Sequence, residues 1–466
     1  MDLSSKLSET KILSLTLAEA QKLIRHLLEH IAKLEAQNAK QEKRIIDLEI
    51  RLNKNSTNSD KPSSTDSPYK TKPRTSQNRK PKQPRNREGH SRKRLEPTHT
   101  QHILPGVCSC GSTNHSGLTQ YHTHQVVELP EINLIVEDIV LHKRKCAECG
   151  KVTKGEIPQE KRTGYGPRLS AMIVELLGVH GDSRRGVQDF LASVLGISVS
   201  QGAIQKIVNR FTEALESHYQ AIREAAHREP VNYIDETSWK TNGELKWLWA
   251  MTNTIVSFIM IHKHRSRAAF EELIGAWEGI LVSDGYAVYR KWVHGRQSCL
   301  VHMKRRAIGI SEHPNPEIAA IGASLEKELQ LLCHMAKAPP EIKEWNAFYE
   351  RLMSIFWLND KRADEAGKLV RHMIREIDSL WTFLDAQGVE ATNNRAERSL
   401  RFPVMYRKRS LGTRQECGER FIERILSLRQ TCRIQAIRTF QVLVDAFRAW
   451  LQRAPPNLSV IPALTP

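Results

Sequence analysis

Two aspartates stand at the ends of apolar strands, where such surroundings ordinarily exclude them, and a third acid lies in a helix. Asp235 follows Val231–Ile234 in VNYIDETSWK, Asp284 follows Ile280–Ser283 in GILVSDGYAVY, and Glu397 lies in ATNNRAERSLR. An unpaired carboxylate on a buried strand is costly. ATNNRAERSLR reads as a helix capped by Thr392 or Asn393, and one turn puts Asn393, Asn394, Glu397 and Arg401 on one side. Taken singly, each acid suits a cap, a turn or an ion pair. Together, carboxylates from two strands and a helix can hold two hard cations through oxygen. Such a pair activates an attacking oxygen and stabilises a leaving one in phosphodiester chemistry.

A second constellation is built from sulfur. Cys108 and Cys110 precede Cys146 and Cys149, the latter in CAECG, where Gly150 lets the backbone turn its amides toward the thiolates. Four thiolates suit tetrahedral Zn²⁺ in a structural role, with His115 or His142 as substitute if the tight Cys-x-Cys spacing fails. Residues 124–143 alternate apolar and polar like two strands turning near Leu129–Asn133, so a zinc module is expected over 99–160.

The acids require a sheet to hold them. VNYIDETSWK, a turn at Thr241–Gly243, ELKWLWAMT and IVSFIMIHK read as consecutive strands. A helix around Arg267–Trp277, the strand ending at Asp284, and a further strand in SCLVHMKRR with His302 near its end follow. All nine tryptophans lie after residue 230, so the largest core is expected there. Residues 307–390 carry 9 Lys/Arg against 14 Asp/Glu and amphipathic segments such as Ile342, Trp345, Tyr349 and Leu352. They read as an all-helical insertion dividing a catalytic unit into 229–306 and 391–450. Residues 391–433 reverse the sign, with 11 basic and 4 acidic residues. Arg395, Arg398, Arg401, Arg407, Lys408, Arg409 and Arg414 thus surround Glu397, where a phosphate backbone would lie.

Upstream, residues 165–228 read as a helical DNA-binding region. Within it, 186–210 predicts helix, glycine turn at Gly196, helix, with Leu191, Ala192 and Leu195 on the first apolar face and Ser198 or Ser200 capping the second helix. Ile204 and Val208 anchor that second helix, leaving Ser200, Gln201, Gln205, Lys206 and Arg210 for DNA, the division a helix-turn-helix requires.

Residues 15–52 carry a heptad repeat: Leu17, Ile24, Ile31, Asn38, Ile45 and Leu52 at a, Ala20, Leu27, Leu34, Gln41 and Leu48 at d. Thr16 and Glu19 fit a capping box. Ile at a with Leu at d favours a parallel two-stranded coiled coil, and Asn38 fixes its register. Residues 53–98 hold 13 Lys/Arg, 4 Asp/Glu and one aromatic, a composition expected to be a disordered basic linker, either tether or phosphate-tracking arm.

The 466 residues carry a formal charge of +18, which points to a polyanionic partner. No apolar run approaches the ~20 residues of a membrane helix and the start lacks a signal-peptide pattern, so no membrane partner and a cytoplasmic location are expected. Eight cysteines, four of them in close pairs, suit metal binding in a reducing compartment rather than a disulfide scaffold.

YIDET, LVSDGY, CLVHMKR and TNNRAERSLR followed by VMYRKRSLG resemble the insertion-sequence sixty-six family of bacterial DDE transposases. The resemblance runs from coiled coil to catalytic unit in the same order. It implies a multidomain α+β chain whose catalytic domain is ribonuclease-H-like. Asp235, Asp284 and Glu397 become its metal-binding acids for two Mg²⁺ or Mn²⁺, with His302, Lys304 and Arg305 near the metals or the phosphate. The implied activity is DNA transposition: binding element ends, freeing a 3′ hydroxyl and joining it to target DNA, with accessory proteins of the same element as possible partners and the nucleoid as location. Two other functions fit some of these features, a nuclease or resolvase of the same fold without strand transfer and a non-catalytic DNA-binding regulator.

Overall fold

The structure, a computed structural model, describes residues 16–59, 61, 66, 94–114, 116–459 and 461. Helix α1 (Leu17–Asn53) opens with the expected capping box: Thr16 Oγ1 accepts from the Glu19 amide and the Glu19 carboxylate accepts from the Thr16 amide at 3.0 Å. No residue of α1 is buried, so its heptad stripe faces solvent in the single chain.

The chain beyond α1 departs from the expected linker at once. Residues 54–59 form a turn in which Asn58 is 7% exposed and donates to Glu312 Oε2 at 2.6 Å and to the Asn53 carbonyl at 3.0 Å. Gly309 makes this seat possible, because a Cβ there would lie 2.3 Å from the Asn58 carbonyl. Composition missed this because an asparagine amide anchors by hydrogen bonds, not by apolar area. Most of 60–93, and His115, lie outside the described residues.

The two strands expected within 124–143 do not form. Among the described residues of 101–142 there is no helix or strand, and Ile135 and Val136 are 99% and 84% exposed. Alternation needs a neighbouring strand to become a ladder, and no strand among the described residues pairs with that segment. The hairpin lies later, β1 (Lys143–Lys145) against β2 (Val152–Lys154), with Cys146–Gly150 at its tip and Gly150 at φ +71°.

Four helices follow: α2 (Pro167–Val174) running into a π-helical turn at Glu175–Val179, α3 (Arg184–Leu195), α4 (Gln201–Ala214) and α5 (Glu216–Arg228). Gly196 ends α3 in the left-handed region at φ 67°, and Ser200 caps α4 by accepting from the Ala203 amide. Val187 and Leu191 bury the α3 face, while Ala192 is exposed rather than in the core. On α4, Ile204, Ile207, Val208 and Phe211 are buried.

The sheet comprises β3 (Val231–Thr241), β4 (Glu244–Thr252) and β5 (Ser257–His262), then helix α6 (Arg267–Ile274), β6 (Ile280–Ser283) and β7 (Arg296–Ser298). Its order is β5-β4-β3-β6-β7, the first three antiparallel and β6 and β7 parallel to β3. Asn242 and Gly243, both at positive φ, close the β3–β4 hairpin in two residues.

Next come α7 (Leu300–Ser311), α8 (Pro316–Met335), α9 (Ile342–Asn359), α10 (Glu365–Arg375) and the short α11 (Thr382–Asp385). They share a core of their own that includes Leu300, Met303, Leu329, Phe348, Leu352 and Met373. The helical layer therefore starts with α7, before the expected boundary at 307. His302, Lys304 and Arg305 correspondingly lie on a helix and not, as SCLVHMKRR suggested, on a strand; the strand ends at Ser298.

Three helices close the chain: α12 (Asn394–Ser410), α13 (Glu416–Ile434) and α14 (Thr439–Gln452). Helix α13 covers the edge strand β5, whose Ser257, Ile259 and Ile261 amides donate to Thr431 Oγ1, Ser427 Oγ and Glu423 Oε1 at 3.2, 2.9 and 2.7 Å. An edge that would otherwise template pairing is thus capped by side chains. The result is a mixed α/β architecture with a long helical N-terminus.

Candidate active site

The parallel pairing of β3 with β6 aligns Tyr233 with Val282. Continuing that register by two residues sets Asp235, within β3, beside Asp284, just past the end of β6. Glu397 lies in the first turn of α12. Three backbone ties bring that turn to the strand ends. Asn393 donates its side-chain amide to the Ile234 carbonyl at 2.9 Å, next to Asp235. The Cys299 amide donates to the Ser283 carbonyl at 2.9 Å, next to Asp284. The Leu300 amide donates to the Ala391 carbonyl at 3.0 Å, joining the start of α7 to the approach of α12.

The charges on these acids interact. The Asp235 carboxyl is pushed well above the ordinary range, first by burial, then by the neighbouring carboxylates of Glu236, Asp284 and Glu397. Glu397 goes the other way: contact with His302, Nε2 lying 3.4 Å from Oε1, and the charges of Arg305 and Arg398 hold it below the usual range. Glu397 Oε1 is buried without a well-aligned hydrogen-bond donor, as is Asn393 Oδ1. A buried carboxyl raised by the carboxylates crowded round it is the kind of donor set that hard divalent cations require of a protein. Asp235, Asp284 and Glu397 therefore fit Mg²⁺ or Mn²⁺ by the chemistry of their donors.

Sequence reasoning passed over a supporting group. Glu236, next to Asp235, is buried and raised by burial and by Asp284, yet offset by Arg265 at 2.5 Å and by a hydrogen bond from the Tyr289 hydroxyl. Arg265 stacks on the Tyr286 ring at 4.0 Å, tying this pair to the loop after Asp284. The acid directly following Asp235 was the available signal. Cys299 was also overlooked, although Cys299 and His302 stand at the i, i+3 spacing of one helical face.

The expected DNA contacts divide into exposed and inward-turned groups. Ser200, Gln201 and Lys206 on α4 are exposed, and Gln205 and Arg210 half-buried, on the side away from Ile204 and Val208. Arg398, Arg401, Lys408 and Arg409 on α12 are exposed and Asn394 half-buried, with Arg409 reaching Asp182 at 3.2 Å. Arg407 instead turns inward and donates to Thr237 Oγ1 at 3.2 Å and Ser238 Oγ at 2.6 Å on β3. Lys304 likewise hydrogen-bonds Gln330 of α8. These two position elements of the fold.

The cysteine pairs form two separate turns. Backbone amides of Cys149 and Glu148 lower the Cys146 thiol and those of Cys110 and Ser109 the Cys108 thiol, the latter aided by side chains. All four cysteines are exposed. Among the described residues, the group of three whose ligand atoms lie within 4.8 Å of one another is elsewhere: Cys299, His302 and Glu397. The expected four-thiolate cluster is thus not gathered here, since neither turn has a core that would press it against the other.

No described helix is long and apolar enough to cross a membrane. A model of a family of unknown function matches residues 8–96. No curated protein matches the chain. The family model described as transposase IS66 family matches residues 162–420, from the helices before the sheet to the N-terminal part of α13, more than half of the chain. The chain belongs to the IS66 transposase family.

Proposed function

We propose that the protein is a metal-dependent DNA transposase that cleaves phosphodiesters at the ends of its element and joins the 3′ ends to target DNA. The observation that carries this reading is the convergence of Asp284 and Glu397 on Asp235, each close enough to raise its carboxyl. The strand order, an antiparallel meander followed by two strands parallel to its first, supports a ribonuclease-H-like catalytic domain with α7–α11 inserted before the third acid.

Asp235, Asp284 and Glu397 would hold two Mg²⁺ or Mn²⁺, which when bound activate the attacking oxygen and stabilise the leaving one. The chain's own residues do the rest. Asn393 and the Cys299 backbone fix the acids against one another through Ile234 and Ser283. Exposed Arg398, next to Glu397, and Arg401, one turn on, place the phosphate backbone at the acids. Exposed Ser200, Gln201 and Lys206 on α4 read or grip duplex DNA in the manner of a helix-turn-helix. The α1 helix pairs two protomers, so that two DNA ends are handled together. Zn²⁺ brought to Cys108, Cys110, Cys146 and Cys149 would fold the 99–160 segment into a module.

The test is incubation of full-length protein with labelled element-end DNA in Mg²⁺. The expected result is nicking that exposes a 3′ hydroxyl, lost in EDTA and in Asp235→Asn. DNA binding without metal-dependent nicking would instead leave a regulator.

A further inference from the structure

We propose that Cys299, His302 and Glu397 form a second, zinc-binding site that shares Glu397 with the hard-metal acids and, when filled, withdraws it from them. The inhibitory consequence rests on the reading of Glu397 as a catalytic acid; the zinc site itself does not.

The geometry comes from three helical positions. Cys299 caps α7, His302 lies within the first turn of the same helix, and Glu397 faces them from the first turn of α12. One ligand atom from each lies within 4.8 Å of the others, and the His302–Glu397 pair is already at 3.4 Å. A tetrahedral zinc shell with Zn–S and Zn–N bonds near 2.0–2.3 Å spaces its ligands by roughly 3.5 Å.

The chemistry selects the metal. A thiolate, an imidazole and one carboxylate oxygen suit borderline-soft Zn²⁺, whereas Mg²⁺ takes oxygen ligands in octahedral array. Binding would release the Cys299 thiol proton to solvent, take a lone pair from a His302 ring nitrogen, and use Glu397 as a carboxylate. Burial, with the Glu397 charge, pushes the Cys299 thiol up to about 11, while backbone amides of Asn393 (at 3.2 Å), His302 and Val301 point to the sulfur and partly oppose that rise, so the metal has to displace the proton. Glu397 Oε1 faces the sulfur from the other side, buried and 3.4 Å from His302 Nε2. Asn393, fully buried, also keeps Oδ1 without a partner, so the wall of the site has polar capacity left over.

Co²⁺ is the probe, because thiolate ligation gives it an intense near-ultraviolet charge-transfer band and tetrahedral geometry gives strong visible bands. Full-length protein with Cys108, Cys110, Cys146 and Cys149 replaced by Ser removes the competing thiols. This protein should bind one Co²⁺ per chain with both signatures, and Zn²⁺ should displace it. Adding Cys299→Ser should remove the charge-transfer band, and His302→Ala should weaken binding roughly tenfold or more. Cys299→Ala, checked by circular dichroism, guards against a serine that unfolds the buried position. A band that survives both Cys299 substitutions, or no band at all, overturns the proposal. In Mg²⁺-dependent nicking, Zn²⁺ should inhibit the natural chain and inhibit Cys299→Ser only at roughly tenfold higher concentration, each measured against its own zinc-free rate. Cobalt signatures without any nicking would sink the transposase reading and leave the zinc site standing. Nicking without the signatures would do the reverse.

Discussion

Replacing Ile31 by Ala tests whether α1 pairs two protomers. In the single chain Ile24, Leu27, Ile31, Leu34, Ile45 and Leu48 are each 47–56% exposed, although their heptad spacing aligns them along one face. Burying the exposed half of such a side chain is worth about 1 kcal/mol, half of the ~1.5–3 kcal/mol for full burial. Over six positions in two chains the gross gain is about 12 kcal/mol. Association costs at least ~4 kcal/mol, which leaves a dimer of roughly micromolar affinity. Ile31→Ala removes about 1 kcal/mol from each chain and should weaken the dimer ~30-fold. Glu29→Ala, on the opposite face of the helix, should change it by no more than ~0.5 kcal/mol. Sedimentation equilibrium over a dilution series reads all three proteins. A natural chain that stays monomeric at tens of micromolar, or equal losses from Ile31→Ala and Glu29→Ala, would refute the pairing.

Gly412→Ala should destabilise by about 2–4 kcal/mol in urea unfolding, because its φ of +101° disfavours a side chain and a Cβ would lie 2.1 Å from the Lys240 carbonyl. Gly388→Ala, at φ +84° with open space around it, should cost only the conformational part, about 1 kcal/mol. Asp235→Asn should raise the melting temperature in EDTA at pH 8, since it removes one of the carboxylates that repel one another, while abolishing Mg²⁺-dependent nicking; a lower melting temperature would contradict the crowding of charge at this site. Burial pushes Glu175 up to about 7, Arg429 partly opposing it, and leaves its Oε2 unpaired. A carboxyl raised in the folded state contributes stability that is complete below ~4.3 and fades as pH rises through about 7. Glu175→Gln should therefore melt higher than the natural chain at pH 8 and gain little at pH 5, and an equal gain at both would show that charge is not the cause.

The strands carrying Asp235 and Asp284 were legible because alternation, a two-residue turn and apolar runs are local signals. The capping box at Thr16, the glycine turn at Gly196 and the helical start at Asn394 were legible for the same reason. The regions read wrongly depended on partners distant in sequence. SCLVHMKRR is apolar enough for a strand, but β7 pairs only through Ser298, and the packing of Leu300 and Met303 into the helical core makes the rest a helix. Residues 124–142 alternate, yet no strand among the described residues pairs with them. Arg407 and Lys304 looked like phosphate ligands by charge alone; β3 and α8 claim them. The involvement of Cys299 with Glu397 joins residues almost a hundred positions apart, which periodicity does not register.

Strand transfer tests the central claim most directly. Purified protein, a pre-nicked element end, Mg²⁺ and a supercoiled target plasmid should yield end-joined product, and Asp284→Ala and Glu397→Ala should each abolish it while still binding the DNA. Joined product persisting at full level in Glu397→Ala would contradict the assignment of the third acid. Element-end cleavage in Mg²⁺ with no joined product under any condition would make the protein a nuclease and not a transposase.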